Sequence, residues 1–335
     1  MSAVDAPRVK LSGRLGATAG RLSRETPVAQ LVVLIAIFGY GALTLEGFSS
    51  LASIKSMLLV ASFLGLAALG QTVLVLLGYL DLSVPGFITL GNVLTVILVA
   101  QDGWPFAAAL AVIIGAAILM GSLSGLICHL LGVESIVVTL GVNFILIGVV
   151  DVLAKALTGS APGWLTQFAS VTASTAGIPV PPLIVLWVIL AVIVGVVLRR
   201  TVVGRRIYLT GANPMAAGFA LVRTQRVVIG VFALSAVSAA VTGVLLTGFS
   251  GSADTTIGSP YLFTSLTAII VGGTSVVRAR GDYWRTVIGA IMVTVINTVL
   301  LAKGYSAAEQ QILFGLLILA VALIYGRETR LRDRV

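Results

Sequence analysis

Arg199-Arg-Thr-Val-Val-Gly-Arg-Arg-Ile-Tyr-Leu-Thr-Gly-Ala-Asn-Pro-Met-Ala-Ala-Gly-Phe-Ala-Leu-Val-Arg-Thr-Gln-Arg226 carries six arginines and no acid, and it lies between two long apolar runs, 182–198 and 227–249. A basic connection between apolar runs is how the cytoplasmic loops of membrane proteins read. Three further basic clusters repeat the pattern: Arg8 to Arg24, Arg278 to Arg285, and Arg327 to Arg334. Of 21 Lys and Arg residues, only Lys55, Lys155 and Lys303 fall outside the four clusters. The net charge of +9 therefore points to a membrane surface rather than to nucleic acid.

Composition agrees. The 335 residues are 58% hydrophobic and 10% charged, against about 25% charged in a soluble domain. Strand alternation is absent and the apolar runs are long. That predicts an all-α integral membrane protein rather than a barrel. The runs fall near 28–45, 53–78, 86–100, 105–131, 136–157, 182–198, 227–249, 261–277, 286–302 and 308–325. About ten transmembrane helices put all four basic clusters on one side, with both termini cytoplasmic, and place the three outlying lysines near the outer ends of spans. An odd count would strand the last basic cluster outside. The chain thus divides into a basic, disordered cytoplasmic arm (1–27, with no signal-cleavage site after it), a transmembrane domain (28–326) containing the inner loop 199–226, and a basic cytoplasmic tail (327–335). The uncharged segment 158–181 reads as a short cap over the outer mouth.

Several chemistries are excluded. None of the four lysines follows a glycine, so a phosphate-binding Gly-Lys-Ser/Thr loop is impossible. The lone Cys128 and lone His129 offer neither a disulfide nor a metal set. No nucleophile, histidine and acid are arranged for hydrolysis. Gly121-Ser-Leu-Ser-Gly125 reads as a close-packing seam.

Two polar interruptions stand out: Gly78-Tyr-Leu-Asp-Leu-Ser-Val-Pro-Gly86 and Gly251-Ser-Ala-Asp-Thr-Thr-Ile-Gly-Ser-Pro260. Each combines glycine, an acid and a hydroxyl with a proline before a new apolar run. Placed in opposite halves of the membrane, they suggest a 5+5 inverted repeat. Asp81 is either a cap that accepts from Ser83 and nearby N–H groups or an intramembrane functional acid. Gln71, Asn92, Thr139, Asn143, Thr294 and Asn297 either bond neighbouring helices or line a translocation path. Asp151 and Lys155, four apart, read as an i,i+4 pair at the interface rather than a proton relay.

Inside the inner loop, Asn213 is a good N-cap and Pro214 fits the first helical position. A helix of about two turns follows, with Met215, Phe219 and Val222 on one face. It is either a linker lying on the membrane or a docking knob for a cytoplasmic partner.

Four motifs in this order resemble the permease subunits of the ribose, xylose, arabinose and galactose group of sugar ABC importers: Gly78-Tyr-Leu-Asp-Leu-Ser-Val84, Ile136-Val-Val-Thr-Leu-Gly141, the stretch from Gly204 to Pro214, and Ala268-Ile-Ile-Val-Gly-Gly-Thr-Ser275. The resemblance runs from about residue 50 to the C-terminus. It implies a ten-helix layout similar to the vitamin B12-type importers, in the bacterial inner membrane. It also implies a second permease copy or a related permease, a cytoplasmic ABC ATPase that binds ATP and Mg, and a periplasmic or lipid-anchored solute-binding protein. This chain would bind no cofactor of its own. Gly211, Asn213, Pro214, Met215, Ala216, Ala217, Phe219 and Val222 would belong to the coupling helix on which the ATPase docks. Asp81, Ser83, Gly272, Gly273 and Thr274 would be structural motif residues. The chain departs from the family at Tyr79-Leu80, at Ala220-Leu-Val222 and at the basic turn Val276-Val-Arg-Ala-Arg-Gly281. The expected cargo is a monosaccharide or related polyol. A nucleoside, an amino acid or a signalling furanone is the alternative. An ion-coupled carrier is the rival from another class, and it is disfavoured because Asp81 and Asp151 both lie at predicted span ends.

Overall fold

A computed structural model describes residues 28–155, 159–274 and 281–332. The basic arm 1–27, the turn holding Arg278 and Arg280, and the last residues of the tail lie outside the described residues. Among those described, every regular element is a helix: α1 Val28–Thr44, α2 Leu51–Leu76, α3 Val84–Thr95 with a π-helical continuation Val96–Gln101, α4 Phe106–Leu131, α5 Ser135–Ala154, α6 Gly163–Phe168, α7 Pro182–Arg200, α8 Val202–Ala212, α9 Pro214–Phe219, α10 Thr224–Ser250, α11 Tyr261–Val271, α12 Tyr283–Ala302 and α13 Ala307–Arg332. Seven are long and apolar enough to cross a bilayer: α2, α3 with its continuation, α4, α5, α7, α10 and α12. The remaining apolar runs also fall on helices: α1 and α11 hold 17 and 11 residues, and α13 carries the run 308–325 within its 26 residues.

Two helices form the centre. Every residue of α2 from Ala61 to Leu76 is buried, so this helix is enclosed on all sides and shows no polar stripe. α10 packs along α2, α3 and α4, and α12 packs along α1, α2 and α11. The Gly121/Gly125 seam is where α4 meets α10. A methyl group on Gly121 would stand 2.7 Å from the Ala236 Cβ, and one on Gly125 2.9 Å from the Ile229 Cα. Only hydrogen at these positions lets the two backbones approach so closely.

The connections sort into two ends. At one end lie Arg199, Arg200, Arg205, Arg206, Arg223, Arg226 and Arg285, around α8, α9 and the start of α12. Lys55, Lys155 and Lys303 lie at the other. There, Lys303 Nζ sits 4.8 Å above the Tyr40 ring, the Ala161 N–H donates to the Gly251 carbonyl over 2.9 Å, and Phe106 meets Trp164 edge-on at 4.6 Å. The segment read as an outer cap contains α6, whose Leu165 is buried against Gly248 of α10. The loop 199–226 holds one helix more than its sequence announces. Thr201 caps the start of α8, its hydroxyl accepting from the Gly204 N–H over 3.3 Å.

Candidate functional site

Both polar interruptions fold back into the bundle. In the first, Asp81 is 1% exposed. Its Oδ1 accepts the Ser83 N–H (2.9 Å) and the Ser83 hydroxyl, and its Oδ2 accepts the Ser235 hydroxyl (2.6 Å). Ser235 stands eleven residues into α10, about 16 Å along it. Gln71, five residues before the end of α2, donates to the Asp81 carbonyl over 2.8 Å. Asp81 therefore lies within the bundle, deeper than a junction at a span end.

Breaking a helix inside a membrane strands backbone N–H groups, and water is not there to bind them. α5 supplies the acceptors. Ser135, Thr139 and Asn143 recur every fourth residue on one face of α5, and they accept in turn from Leu80 N–H (3.1 Å), Leu82 N–H (3.0 Å) and Gly86 N–H (2.9 Å). Each of these N–H groups, left unpaired, would cost roughly 1–3 kcal/mol.

The second interruption repeats the local turn. Asp254 Oδ1 accepts the Thr256 N–H and the Thr256 hydroxyl, each over 2.8 Å. Asn92 of α3 pins it, accepting the Asp254 N–H over 2.8 Å while donating to the Thr247 hydroxyl over 3.0 Å. Further on, Gly258 packs against the Pro85 carbonyl and the Thr89 hydroxyl. The segment thus runs down α3 from Asn92 towards Pro85 before α11 starts. That descent is why α11 needs only 11 residues. Four of the polar residues considered for a translocation path, Gln71, Asn92, Thr139 and Asn143, hold these two breaks in place. Thr294 bonds back to the Ala290 carbonyl over 2.9 Å. Asn297 keeps a buried carbonyl oxygen without a hydrogen-bond partner.

At the arginine-rich end, α8 and α9 form a small raised platform. Gly211 lies so close to α2 that a Cβ there would stand 1.9 Å from the Leu76 carbonyl oxygen. Tyr208 donates its hydroxyl to the Gly281 carbonyl over 2.7 Å. Burial pushes the Tyr208 phenol above its ordinary pKa, with Asp282 adding to the rise and Arg199 and Arg285 opposing it. It therefore remains a neutral donor. Asp282 pairs with Arg199 and also caps α12, accepting the Arg285 N–H over 3.1 Å. This joins the end of α7, α8 and the start of α12.

On that base, Asn213 caps α9 by accepting the Ala216 N–H over 3.0 Å, and Pro214 occupies the first turn. Ala217 is buried, whereas Met215 and Phe219 are 75% and 84% exposed. Val222 is only half-buried, and Leu221 takes the outward place at 92% exposure. The helix closes with paired bonds, Leu221 N–H to Gly218 and Val222 N–H to Ala217. This ending puts Leu221 at φ +60°, a left-handed position that glycine normally fills. The sequence carries no sign of this, because a leucine does not advertise a left-handed turn. Ser135 and Ser235 were also missed. For Ser135 the four-residue spacing to Thr139 and Asn143 was a readable signal.

Gly272, Gly273 and Thr274 end α11. Gly273 (φ +88°) closes the helix, with the Thr274 N–H bonded to the Ile269 carbonyl over 3.1 Å. Gly272 abuts the Arg285 carbonyl, and Thr274 is 4% exposed with no partner for its hydroxyl among the described residues.

A family model described as the permease component of a branched-chain amino acid transport system matches residues 53–322. The D-allose transport system permease protein AlsC of Escherichia coli is 30% identical over 88% of this chain and 89% of its own length. The autoinducer 2 import system permease protein LsrD of Klebsiella pneumoniae is 27% identical, over 69% and 70%. The fructose import permease protein FrcC of Rhizobium meliloti is 26% identical, over 90% and 85%. No solved structure matches. A multi-pass helical membrane protein with a family match over most of its length, this chain belongs to the permease components of the branched-chain amino acid transport type, among which the sugar and autoinducer ABC importer permeases are its relatives.

Proposed function

We propose that this chain is the permease subunit of an ATP-driven importer for a monosaccharide or related polyol. The arginine-rich end faces the cytoplasm, as do both termini, and ten helices cross the inner membrane. α9 is the coupling helix. The observation that carries this reading is the exposure of Met215, Phe219 and Leu221 on a platform anchored through Gly211 and Tyr208 to α2 and to the start of α12. Three bare apolar side chains held on a fixed base suit a partner's groove. A push on α9 would reach the core through α8, whose Gly211 abuts the Leu76 carbonyl.

The partner is a cytoplasmic ABC ATPase carrying ATP and Mg. A second permease copy or a related chain completes the pore, and a periplasmic or lipid-anchored binding protein delivers the solute. The two folded-back breaks are the related elements of an inverted repeat, a reading supported by their shared Asp-x-Ser/Thr turn. The relatives named for D-allose and fructose support a sugar cargo. The relative named for autoinducer 2 favours a signalling solute as the second reading.

The test is gentle purification of the tagged full chain from native membranes. An ATP-binding subunit should accompany the parent chain and be lost from the Phe219→Asp, Leu221→Asp double variant, while the variant's own melting curve stays unchanged. Capture of the ATPase by both proteins alike would refute the docking role. Its absence from the parent chain in repeated preparations would refute the importer.

A further inference from the structure

The arginine-rich end also holds a cavity of about 770 Å³ among α2, α7, α8 and α10, with no part in either folded-back break. Its walls are apolar: Val194 and Val197 of α7, Ile207 of α8, and Val231 and Leu234 of α10. Three arginines stand on its lining, Arg206, Arg223 and Arg226. Among the described residues no ion-pair partner is found for any of the three.

The shape follows α10. From Arg226 to Leu234 the lining descends eight residues, about 12 Å. Charge sits at the shallow end and only hydrocarbon at the deep end. Val203 of α8 and Leu234 of α10, both on the lining, are 55% and 39% exposed, so the cavity opens among apolar side chains. A water-soluble ligand would not match such walls, and a hydrocarbon would leave the arginines unanswered. A molecule with an anionic head and an apolar tail answers both.

We propose that this cavity is a binding site for an anionic phospholipid of the inner leaflet. The phosphate diester sits among Arg206, Arg223 and Arg226, and one acyl chain lies along α10 between Val194 and Leu234. Basic pockets between helices on the cytoplasmic side are suited to such headgroups. The proposal requires only that the arginine-rich end be the cytoplasmic one. It stands or falls apart from the identity of the cargo. The arginines bracket α9 on both sides, so a bound lipid would tie the platform to the membrane surface.

Native mass spectrometry of the intact full-length chain in detergent provides the test, with phosphatidylglycerol, phosphatidylcholine and glycerol 3-phosphate as probes. Phosphatidylglycerol should be retained in preference to phosphatidylcholine. Replacing all three arginines (Arg206→Gln, Arg223→Gln, Arg226→Gln) should weaken phosphatidylglycerol retention about tenfold or more and leave phosphatidylcholine unchanged. Gly230→Leu keeps every charge but fills the slot, since nothing lies within 4 Å of a Cβ at Gly230. It should also weaken retention, and it supplies the result if the triple variant does not fold. Equal binding of the two lipids would overturn the proposal. So would unchanged retention in both variants, as expected if a second copy of the chain or the ATPase fills the slot. Full displacement by glycerol 3-phosphate would reduce the site to an anion site without an acyl slot and overturn it as well.

Discussion

Asp81 shows how one buried acid is made tolerable, and the same bonds set its expected behaviour. Its two oxygens take three hydrogen bonds, from the Ser83 N–H, the Ser83 hydroxyl and the Ser235 hydroxyl. Asp81→Ala leaves those donors without acceptors, at about 1–3 kcal/mol for each that finds no other. The melting temperature in detergent should fall by several degrees. Asp81→Asn keeps an acceptor oxygen for Ser83, so folding and solute uptake should both survive. Loss of uptake by a well-folded Asp81→Asn variant would instead assign the acid a proton-handling role. Leu221 is a residue of the opposite kind, strained and bare. Its left-handed backbone costs roughly 1–2 kcal/mol relative to glycine. Leu221→Gly should therefore raise the melting temperature while weakening capture of the ATPase. If both fall together, the strain is absent; if capture holds, the side chain has no docking role. Asp81 was visible in the sequence as an acid among apolar runs. Leu221 was not, because its place is set by the backbone that precedes it.

At the scale of elements, the apolar runs were legible because lipid demands length, and each run ended in a helix. The boundaries moved wherever polar residues joined a helix. α10 starts at Thr224, three residues before its apolar run, and α12 starts at Tyr283, capped by Asp282. α8 was hidden because its arginines mask its period, although Thr201 and Gly204 mark its start. Least legible was the traffic between elements. Thr139 and Asn143 read as generic polar groups within a span, and only the fold shows that they accept backbone N–H groups across 57 residues of sequence. This assigns them a measurable weight. Thr139→Val is close in shape but removes the acceptor for the Leu82 N–H, which should cost about 1–3 kcal/mol and lower the melting temperature. Thr139→Ser should be near neutral. Equal effects of the two substitutions would show that packing, not the hydroxyl, matters at this site. The α4–α10 seam should be less forgiving. Gly121→Val forces its side chain onto Ala236 and the Phe232 carbonyl, and overpacking of this kind costs about 1–3 kcal/mol or more. A reduced yield of folded chain from membranes would register it.

For the whole molecule, the proposed topology rests on the charge pattern, and the short helices decide the number of crossings. α11 spans about 16 Å by its 11 residues, roughly half of a hydrocarbon core of about 30 Å. The descending segment 251–260 covers the remaining depth with irregular backbone, which membranes tolerate only inside protein. If α11 and that segment together make one crossing, the connection after α12 lies on the side opposite to α9. If they make none, it lies on the same side. Cysteine labelling separates the two. Cys128 is the sole cysteine and is buried, so Cys128→Ala provides a blank parent. Single cysteines are then introduced as Met215→Cys, Ile178→Cys and Tyr305→Cys, at side chains 75%, 61% and 42% exposed. A membrane-impermeant maleimide should label positions 178 and 305 in intact spheroplasts, and position 215 only in inside-out vesicles. Labelling of 305 together with 215 would remove α11 from the crossings and break the even count. Labelling of 215 from outside would invert the whole molecule and refute the proposed ATPase platform, since an ATP-bound partner has no place on the outer face.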